Sequence, residues 1–382
     1  MKTVGIICEY NPLHRGHQKQ IGLIREQFGP DTAVCCLMSG NYVQRGAPAV
    51  VDKSLRARAA ILAGADLVLE LPVTYALSSA EGFAAGGVRI LSSFCDVLCF
   101  GSETGDKKTL LTTARFLLSE EFPPLLRQEL QKGLSFPAAR QAALENMGLD
   151  GSLLRRPNDI LAVEYCKAIL AGNRAITPMP IPRRGSYHET LPDPENPSAT
   201  ALRTLMESGA PWLPYVPEDA APVLSQGKLH TLRAGEPAIL ARLRAMEERD
   251  FAALPYGSEG LWRKLMRAVR QEASLEEILT AVKSKRYTRS RLDRMVLCAF
   301  LGLTEADLLS PAPYVRVLAF NGRGRAILKE ARKTGAFLNA GEIPDSPYWE
   351  RERRIGDLYG LFAVDGPEPP GGEARRRVYC AE

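Results

Sequence analysis

Long hydrophobic runs, paired cysteines and clusters of acidic residues are all missing from this sequence of 382 residues. No apolar run approaches the ~20 residues that span a bilayer, and no signal peptide precedes the first predicted strand. We therefore expect a soluble cytoplasmic protein without a membrane partner. The eight cysteines show neither a CxxC pair nor other metal-ligand spacing. They are predicted to be small buried side chains in a reducing compartment, and no metal ligand is predicted.

A large excess of one sign of charge is also missing. The 49 Lys and Arg residues against 44 Asp and Glu residues give a net charge of +5, with a pI near 8.7. This mild basicity permits an RNA partner without requiring one. The chain is long for one domain, so we predict two, at residues 1–222 and 223–382. Nothing in the sequence indicates the oligomeric state.

Histidine is scarce as well, and two of the four histidines lie three residues apart near the start of the sequence. Residues 4–8 are apolar and β-branched, which predicts a buried strand, and a helical pattern follows a short turn. His14, Gly16 and His17 then lie where free backbone N–H groups and the helix dipole attract an anion, as in phosphate sites. An ordinary pair of surface histidines at a helix start is the alternative.

Strand and helix patterns alternate over the first 105 residues. Four strands are predicted, at residues 4–8, 32–38, 66–71 and 97–100. Such alternation predicts an α/β fold with a doubly wound parallel sheet, whose ligands bind at the carboxyl ends of the strands. After a Pro-rich stretch at residues 213–222 the alternation ends, and the remaining chain is predicted to form a mostly helical domain.

Two positions outside the first unit are candidates for ligand contact. Gly101 follows the fourth predicted strand, where it serves either as a turn residue or as a place for close approach of a ligand. Asn158 opens a helical pattern after a proline. An ordinary helix cap is the alternative reading of Asn158.

Cationic residues and hydroxyls mark further candidate anion sites. Arg183 and Arg184 are adjacent, and paired arginines suit bidentate phosphate recognition, although many simply face solvent. Thr200 and Arg203 follow Ser198 at a predicted helix start, which places two hydroxyls and a guanidinium in its first turn. An ordinary capped helix is again the alternative.

The densest basic run of the chain lies in the predicted helical domain. It comprises Lys283, Lys285, Arg286, Arg289, Arg291 and Arg294, with Tyr287 interleaved and only Asp293 opposing. A surface that contacts the phosphate backbone of RNA is predicted from this run, and a helix face that simply meets water is the alternative. The run is not interpreted as the lysine-rich loop of a class I aminoacyl-tRNA synthetase, because the Gly-rich surroundings of that loop are absent.

Two longer strings resemble one bacterial family. Residues 9–17, EYNPLHRGH, contain the His-x-Gly-His pattern of the HIGH nucleotidyltransferase superfamily, and residues 38–49 read MSGNYVQRGAPA. Together they are similar to the tRNA(Met) cytidine acetate ligases, and the resemblance extends well into the C-terminal half. It implies a Rossmann-like nucleotidyltransferase domain with His14 and His17 as catalytic residues. The resemblance also implies ATP-binding residues, namely Ile7, Cys8, Glu9, Tyr10, Asn11, Pro12, Leu13, His14, Arg15, Gly16, His17, Gln18, Lys19, Gln20, Gly101, Asn158, Arg183, Thr200 and Arg203.

The reaction that the resemblance implies has two steps. Acetate attacks the α-phosphate of ATP to give acetyl-adenylate, and N4 of the wobble cytidine of elongator tRNA(Met) then takes the acetyl group. Mg²⁺ is expected with the triphosphate. The basic run described above predicts that the tRNA would contact Lys283, Lys285, Arg286, Arg289 and Arg291. Neither composition nor spacing identifies acetate or that tRNA.

Two other classes of function use the same features. An adenylyltransferase that makes a small coenzyme would have the same N-terminal site, but such enzymes are usually shorter and need no basic helical domain. A non-enzymatic RNA-binding protein could retain the fold as a vestige. Intact His14, Gly16, His17, Thr200 and Arg203 speak against such decay.

Overall fold

The computed structural model describes residues 1–183, 193 and 197–382 of the chain. Within these residues the strands are β1 (Thr3–Cys8), β2 (Ala33–Ser39), β3 (Tyr42–Val43), β4 (Ala47–Pro48), β5 (Leu67–Leu71), β6 (Val97–Ser102), β7 (Thr177–Pro182), β8 (Val315–Phe320), β9 (Phe337–Leu338) and β10 (Tyr379–Cys380). All four predicted strands are therefore present, within two residues of the predicted limits.

Helices surround these strands over the described ranges. The α-helices are α1 (Arg15–Phe28), α2 (Lys53–Leu62), α3 (Val73–Ala76), α4 (Ala80–Leu91), α5 (Lys107–Leu118), α6 (Phe122–Gln131), α7 (Phe136–Asn146), α8 (Pro157–Ala171), α9 (Ala199–Ser208), α10 (Ala221–Leu224), α11 (Leu232–Ala245), α12 (Glu248–Ala252), α13 (Leu261–Gln271), α14 (Leu275–Val282), α15 (Arg289–Leu301), α16 (Glu305–Leu309), α17 (Gly322–Ala331), α18 (Pro347–Tyr359) and α19 (Gly372–Arg375). No helix in the described ranges is both long and apolar enough to cross a membrane.

A mostly parallel sheet with helices around it forms the fold and confirms the predicted class. Its strand order is β10-β8-β5-β2-β1-β6-β7, and β1 is an interior strand, paired in parallel with β2 and β6. Alternate residues of each strand face opposite sides of the sheet. Val4 and Ile6 of β1 pack against α1 and α2, whereas Ile7 packs on the side of α4 and α8. Both faces are thus covered, as in a doubly wound fold.

The C-terminal part is mostly helical, but the prediction that strand alternation ends near residue 222 was wrong. Strand β8 joins the sheet antiparallel to β5, and β9 and β10 pair with β8. A long helical stretch separates β8 from the first four strands in sequence. The apolar pattern of β8 therefore gave no indication that its partner in the sheet would be β5, which lies far away along the chain.

The helices after residue 222 enclose a core of their own. Buried side chains of α11 to α15 and α18 form this second cluster, together with Tyr42 from the β3–β4 hairpin. The hydroxyl of Tyr42 donates to the carbonyl of Ile355 at 3.1 Å, and that of Tyr359 donates to the carbonyl of Ala49 at 2.8 Å. The division into residues 1–222 and 223–382 stays a prediction, and these contacts cross it.

Candidate functional site

The loop after β1 leads directly into α1, and His14 is the N-cap residue of that helix. The backbone N–H of His14 donates to Nδ1 of His17 at 3.2 Å. The two imidazole rings stack with 3.6 Å between centroids, and the ring of Tyr10 lies 4.8 Å from that of His17. Because Nδ1 of His17 accepts a hydrogen bond, the neutral ring carries its proton on Nε2. His17 therefore offers one N–H donor.

Burial keeps both histidines uncharged. Burial, with the positive charge of Arg183 as the second cause, lowers the pKa of His14 to about 3. Burial, His14 and Arg183 hold the pKa of His17 well below its usual value. Nδ1 of His14 is buried, and no described residue forms a hydrogen bond with it. The backbone N–H groups that every helix leaves free at its N-terminus are the donors that an oxyanion ligand would accept from at this position.

A second group of predicted residues, Gly101, Asn158 and Arg183, lies near the ends of β6 and β7, on the side of β1 opposite to β2. Nη1 of Arg183 donates to Oδ1 of Asn158 at 3.1 Å. A methyl group added at Gly101 would lie 2.6 Å from Cδ of Arg183, so this glycine lets the arginine side chain cross the end of β6. Arg183 is exposed beyond this contact. The neighbouring Arg184 lies outside the described residues.

The third group lies at the start of α9. Ser198 caps this helix by accepting from the backbone N–H of Ala201 at 3.1 Å. Arg203 donates to the carbonyl of Asn11 at 2.7 Å and to the hydroxyl of Thr200 at 3.1 Å. The first turn of α9 is thereby joined to the loop that carries the histidines. The structure thus brings all three predicted groups to one edge of the sheet.

The remaining predicted positions between residues 7 and 20 divide into buried and outward-facing side chains. The buried ones are Ile7, Tyr10, Asn11, Pro12 and Leu13, the exposed ones are Arg15, Gln18 and Lys19, and Cys8, Glu9, Gly16 and Gln20 are intermediate. Oε1 of Glu9 accepts from the backbone N–H of Gln44 at 2.8 Å. The buried set supports the loop, while the exposed set can face a ligand.

Two residues near the site were not among the predictions. Arg56 is fully buried and donates to the carbonyls of Glu9 and Ser39 at 2.5 and 3.1 Å, so it joins the ends of β1 and β2. Glu103 accepts from the side chain of Asn158 at 2.8 Å. Glu103 had a sequence signal, since it follows a predicted strand by three residues. Arg56 had none, because its acceptors are backbone carbonyls.

The basic run is largely paired within the protein. Arg286 contacts Glu259 at 2.6 Å, and Arg289 contacts Glu276 at 2.6 Å. Arg289 also contacts Asp293 at 2.8 Å. Arg291 donates to the carbonyl of Tyr256 at 2.7 Å. Residues 283–288 form a loop between α14 and α15 rather than a helix, and Lys283 and Lys285 are exposed on it.

The described part of the chain shows no cluster of ligands for a divalent metal ion. Among the described residues, no group of three or more His, Cys, Asp or Glu side chains is placed to hold a metal ion. Mg²⁺ prefers several oxygen ligands and commonly takes them from substrate phosphates and water. These residues therefore do not by themselves make a Mg²⁺ site.

Known proteins are similar to this chain over most of its length. The family model described as HIGH Nucleotidyl Transferase matches residues 1–359. The protein named tRNA(Met) cytidine acetate ligase from Clostridium perfringens is 38% identical over 361 residues, which cover 87% of this chain and 88% of that protein. The protein of the same name from Anoxybacillus flavithermus is 36% identical over 400 residues, with 99% and 98% coverage.

Solved structures agree over the full length. The crystal structure of Thermotoga maritima TmcAL bound with alpha-thio ATP aligns with a TM-score of 0.88 at 30% identity, and each chain is covered completely. The apo form of the same protein aligns with a TM-score of 0.89. This chain therefore belongs to the HIGH nucleotidyltransferases and, among them, to the family of the tRNA(Met) cytidine acetate ligases.

Proposed function

We propose that this protein is an ATP-dependent ligase that acetylates a cytidine of tRNA(Met). One observation carries the proposal. A neutral histidine pair stacks at a helix N-terminus, beside Arg183, in a chain whose full length aligns with a structure that holds an ATP analogue. The finer statement, that the target is N4 of the wobble cytidine in elongator tRNA(Met), rests on the family.

In the first step, an oxygen of acetate attacks the α-phosphorus of ATP. A new P–O bond forms, the bond to the leaving oxygen breaks, and pyrophosphate departs. The N–H of His17 and the backbone amides at the start of α1 face the phosphates as preorganised donors. The exposed guanidinium of Arg183 offsets charge on the triphosphate. Positioning and charge stabilisation dominate such a reaction, and the protein forms no covalent bond to the substrate.

In the second step, the exocyclic amine of cytosine attacks the acetyl carbon of the mixed anhydride. The C–N bond forms, the C–O bond to phosphate breaks, AMP leaves, and the amine loses one proton. The reacting atoms must approach to ~3–3.5 Å. A cytosine has to leave its stacked loop to reach that position, so an RNA-holding surface is needed near the site.

Mg²⁺ is expected to arrive with ATP, since a triphosphate is poorly neutralised without a cation. It would then be held mainly by phosphate oxygens, because the described residues supply no cluster of ligands. When bound, the ion would withdraw charge from the phosphates. The roles given above to His17 and Arg183 do not depend on where it lies.

The RNA-holding surface is best sought among exposed cations that form no salt bridge with another residue of the described ranges. Lys283 and Lys285 are exposed, and Lys264 of α13 donates to the carbonyl of Val282 at 3.0 Å, so α13 lies alongside this loop. Arg263 and Arg267 project from exposed positions of α13. We assign the phosphate-backbone contact to these four exposed side chains, Arg263, Arg267, Lys283 and Lys285.

A single assay tests the proposal. Purified protein is incubated with ATP, radiolabelled acetate and bulk tRNA, with omission of each component as the control. Label that enters tRNA only when ATP is present, and that is found in a cytidine derivative after digestion, supports the ligase. A released dinucleotide from a coenzyme precursor would instead indicate an adenylyltransferase. Binding of tRNA without turnover of either kind would indicate a non-enzymatic RNA-binding protein.

A further inference from the structure

The carboxylate of Glu103 lies behind the predicted nucleotide site, where it faces three donors. Its Oε1 accepts from the backbone N–H of Asn158 at 3.2 Å and from Nδ2 of that residue at 2.8 Å. Its Oε2 accepts from the backbone N–H of Asp159 at 2.7 Å. Glu103 therefore caps the N-terminus of α8 and at the same time holds one side chain of that helix.

The hydrogen bond to the side chain fixes which way the Asn158 amide faces. An ionised carboxylate can only accept, so the amide must direct its NH₂ group toward Glu103. The amide oxygen then faces the opposite way, and it meets Nη1 of Arg183 at 3.1 Å. Were the amide reversed, its NH₂ group would face the guanidinium, and two donors would oppose each other.

We propose that Glu103 is a positioning residue for the nucleotide, which acts through Asn158 on Arg183. The carboxylate sets the amide, the amide oxygen holds one nitrogen of the guanidinium, and Gly101 leaves room for the arginine side chain beside it. The charge of Arg183 is then held near the histidine pair, whose pKa values it helps to lower. This proposal rests on the proposed function, because it takes the phosphates of ATP as the ligand of Arg183.

The chain offers a matched control for the helix-capping role. Asp106 caps the neighbouring helix α5, where it accepts from the backbone N–H groups of Lys108 and Thr109 at 3.0 and 3.2 Å. Asp106 is three residues from Glu103, but it contacts neither Asn158 nor Arg183 through any hydrogen bond between described residues. Loss of either cap should lower the melting temperature to a similar extent. Only loss of Glu103 should alter the nucleotide site.

The experiment measures ATP dissociation constants by calorimetry, without acetate or tRNA, together with melting temperatures. Glu103→Ala should weaken ATP binding by about tenfold, the size of one charge-assisted hydrogen bond. Glu103→Gln should weaken ATP binding much less, because its amide oxygen can still face Asn158. Asp106→Ala should lower the melting temperature and leave ATP binding unchanged.

A double-mutant cycle then separates positioning from general loss of structure. In an Asn158→Ala background, adding Glu103→Ala should cost no further ATP affinity. The proposal is overturned if the double variant loses ATP affinity by the product of the two single-variant losses. Unchanged ATP binding in folded Glu103→Ala overturns it as well, whereas a wild-type protein that binds no ATP contradicts the proposed function itself. If Glu103→Ala does not fold, Asn158→Asp is measured in its place. This substitution places two carboxylates against each other and should weaken ATP binding. Adding Glu103→Gln should restore ATP binding, and failure to restore it contradicts the proposal.

Discussion

The two histidines after β1 act as neutral groups. The pKa of His14 is lowered to about 3 and that of His17 is also well below its usual value, chiefly because loss of contact with water disfavours the charged imidazolium. Their contribution at neutral pH is therefore a directed N–H donor rather than a positive charge. The cation beside them is Arg183, and it is placed by Asn158 and Gly101.

His17→Ala should lower acetylation by about 10²–10³-fold while the fold survives, because one preorganised donor to the transition state is removed. The measurement is the initial rate of acetyl transfer to tRNA, with circular dichroism to verify folding. His17→Gln, which retains both an acceptor and a donor, should lose less. Near-normal turnover in folded His17→Ala would remove His17 from the site.

The buried state of His14 also predicts how stability depends on pH. Between its unfolded pKa of about 6.5 and its folded pKa of about 3, the unfolded chain binds a proton that the native protein does not. Stability from this group is present above pH 6.5 and is lost as the pH falls. From pH 7 to pH 5, the loss should be about 2 kcal/mol.

Urea unfolding at those two pH values, for wild type and His14→Gln, isolates this contribution from that of other titrating groups. The wild type should lose about 2 kcal/mol more than the variant. Equal losses would show that His14 takes up a proton in the native protein.

Gly101→Ala should weaken ATP binding and leave stability nearly unchanged. The added methyl group would meet the flexible side chain of Arg183 at 2.6 Å, so the arginine has to move from its place beside Asn158. Gly22→Ala on α1 is the matched control, since nothing lies within 4 Å of its added carbon. Calorimetric titration with ATP compares the two, and equal affinity in both would show that the position of Arg183 does not matter.

Single residues could be predicted wherever local chemistry made them conspicuous. The placement of His14, Gly16 and His17 at the start of α1 could be predicted because a strand end, a helix start and scarce histidines coincide in one short stretch. Arg56 was missed, because a buried guanidinium that binds the carbonyls of Glu9 and Ser39 has no local signature. Such a role depends on where α2 lies relative to the ends of β1 and β2 in the folded protein. The spacing of residues along any one of these elements does not show that.

At the scale of elements, the basic run shows how partners distant in sequence change an interpretation. Asp293 was the only opposing charge visible within the run, yet Glu259 and Glu276 pair with Arg286 and Arg289 in the structure. Exposed ion pairs are individually weak, at about 0–1 kcal/mol. They nevertheless occupy these two arginines, so the exposed lysines of the 283–288 loop become the stronger candidates for RNA contact.

Replacing Lys283 and Lys285 together by Glu should weaken tRNA binding and flatten its dependence on salt. Each lost phosphate contact should lower the slope of log affinity against log salt by roughly 0.7–0.9. Filter binding over a range of salt concentrations measures that slope. ATP affinity should stay at the wild-type value, because neither lysine lies among the residues assigned to the nucleotide.

An unchanged slope would show that both lysines merely face solvent. Arg289→Glu is the comparison, since it breaks contacts to Glu276 and Asp293 and should affect stability more than RNA binding.

At the scale of the molecule, the periodicity of the first hundred residues was enough to predict the parallel sheet. The contribution of the last seventy was not predictable, because β8 and β10 complete the edge beyond β5 from far along the chain. The C-terminal segment also supplies buried charge. Arg316 and Glu373 form an ion pair, and Glu373 contacts Lys53 of α2 at 2.5 Å. The C-terminal segment is thus joined by buried ion pairs to the sheet and helices of the N-terminal part.

The central claim is that acetate is activated by attack on the α-phosphorus of ATP. Acetate labelled with heavy oxygen tests it most directly, in a reaction with unlabelled ATP, tRNA and the wild-type protein, followed by mass spectrometry of the nucleotide products. Because the acetate oxygen forms the new P–O bond and the later amine attack breaks the C–O bond, AMP should carry one heavy oxygen. Heavy oxygen in inorganic phosphate, with ADP as the nucleotide product, would contradict the account.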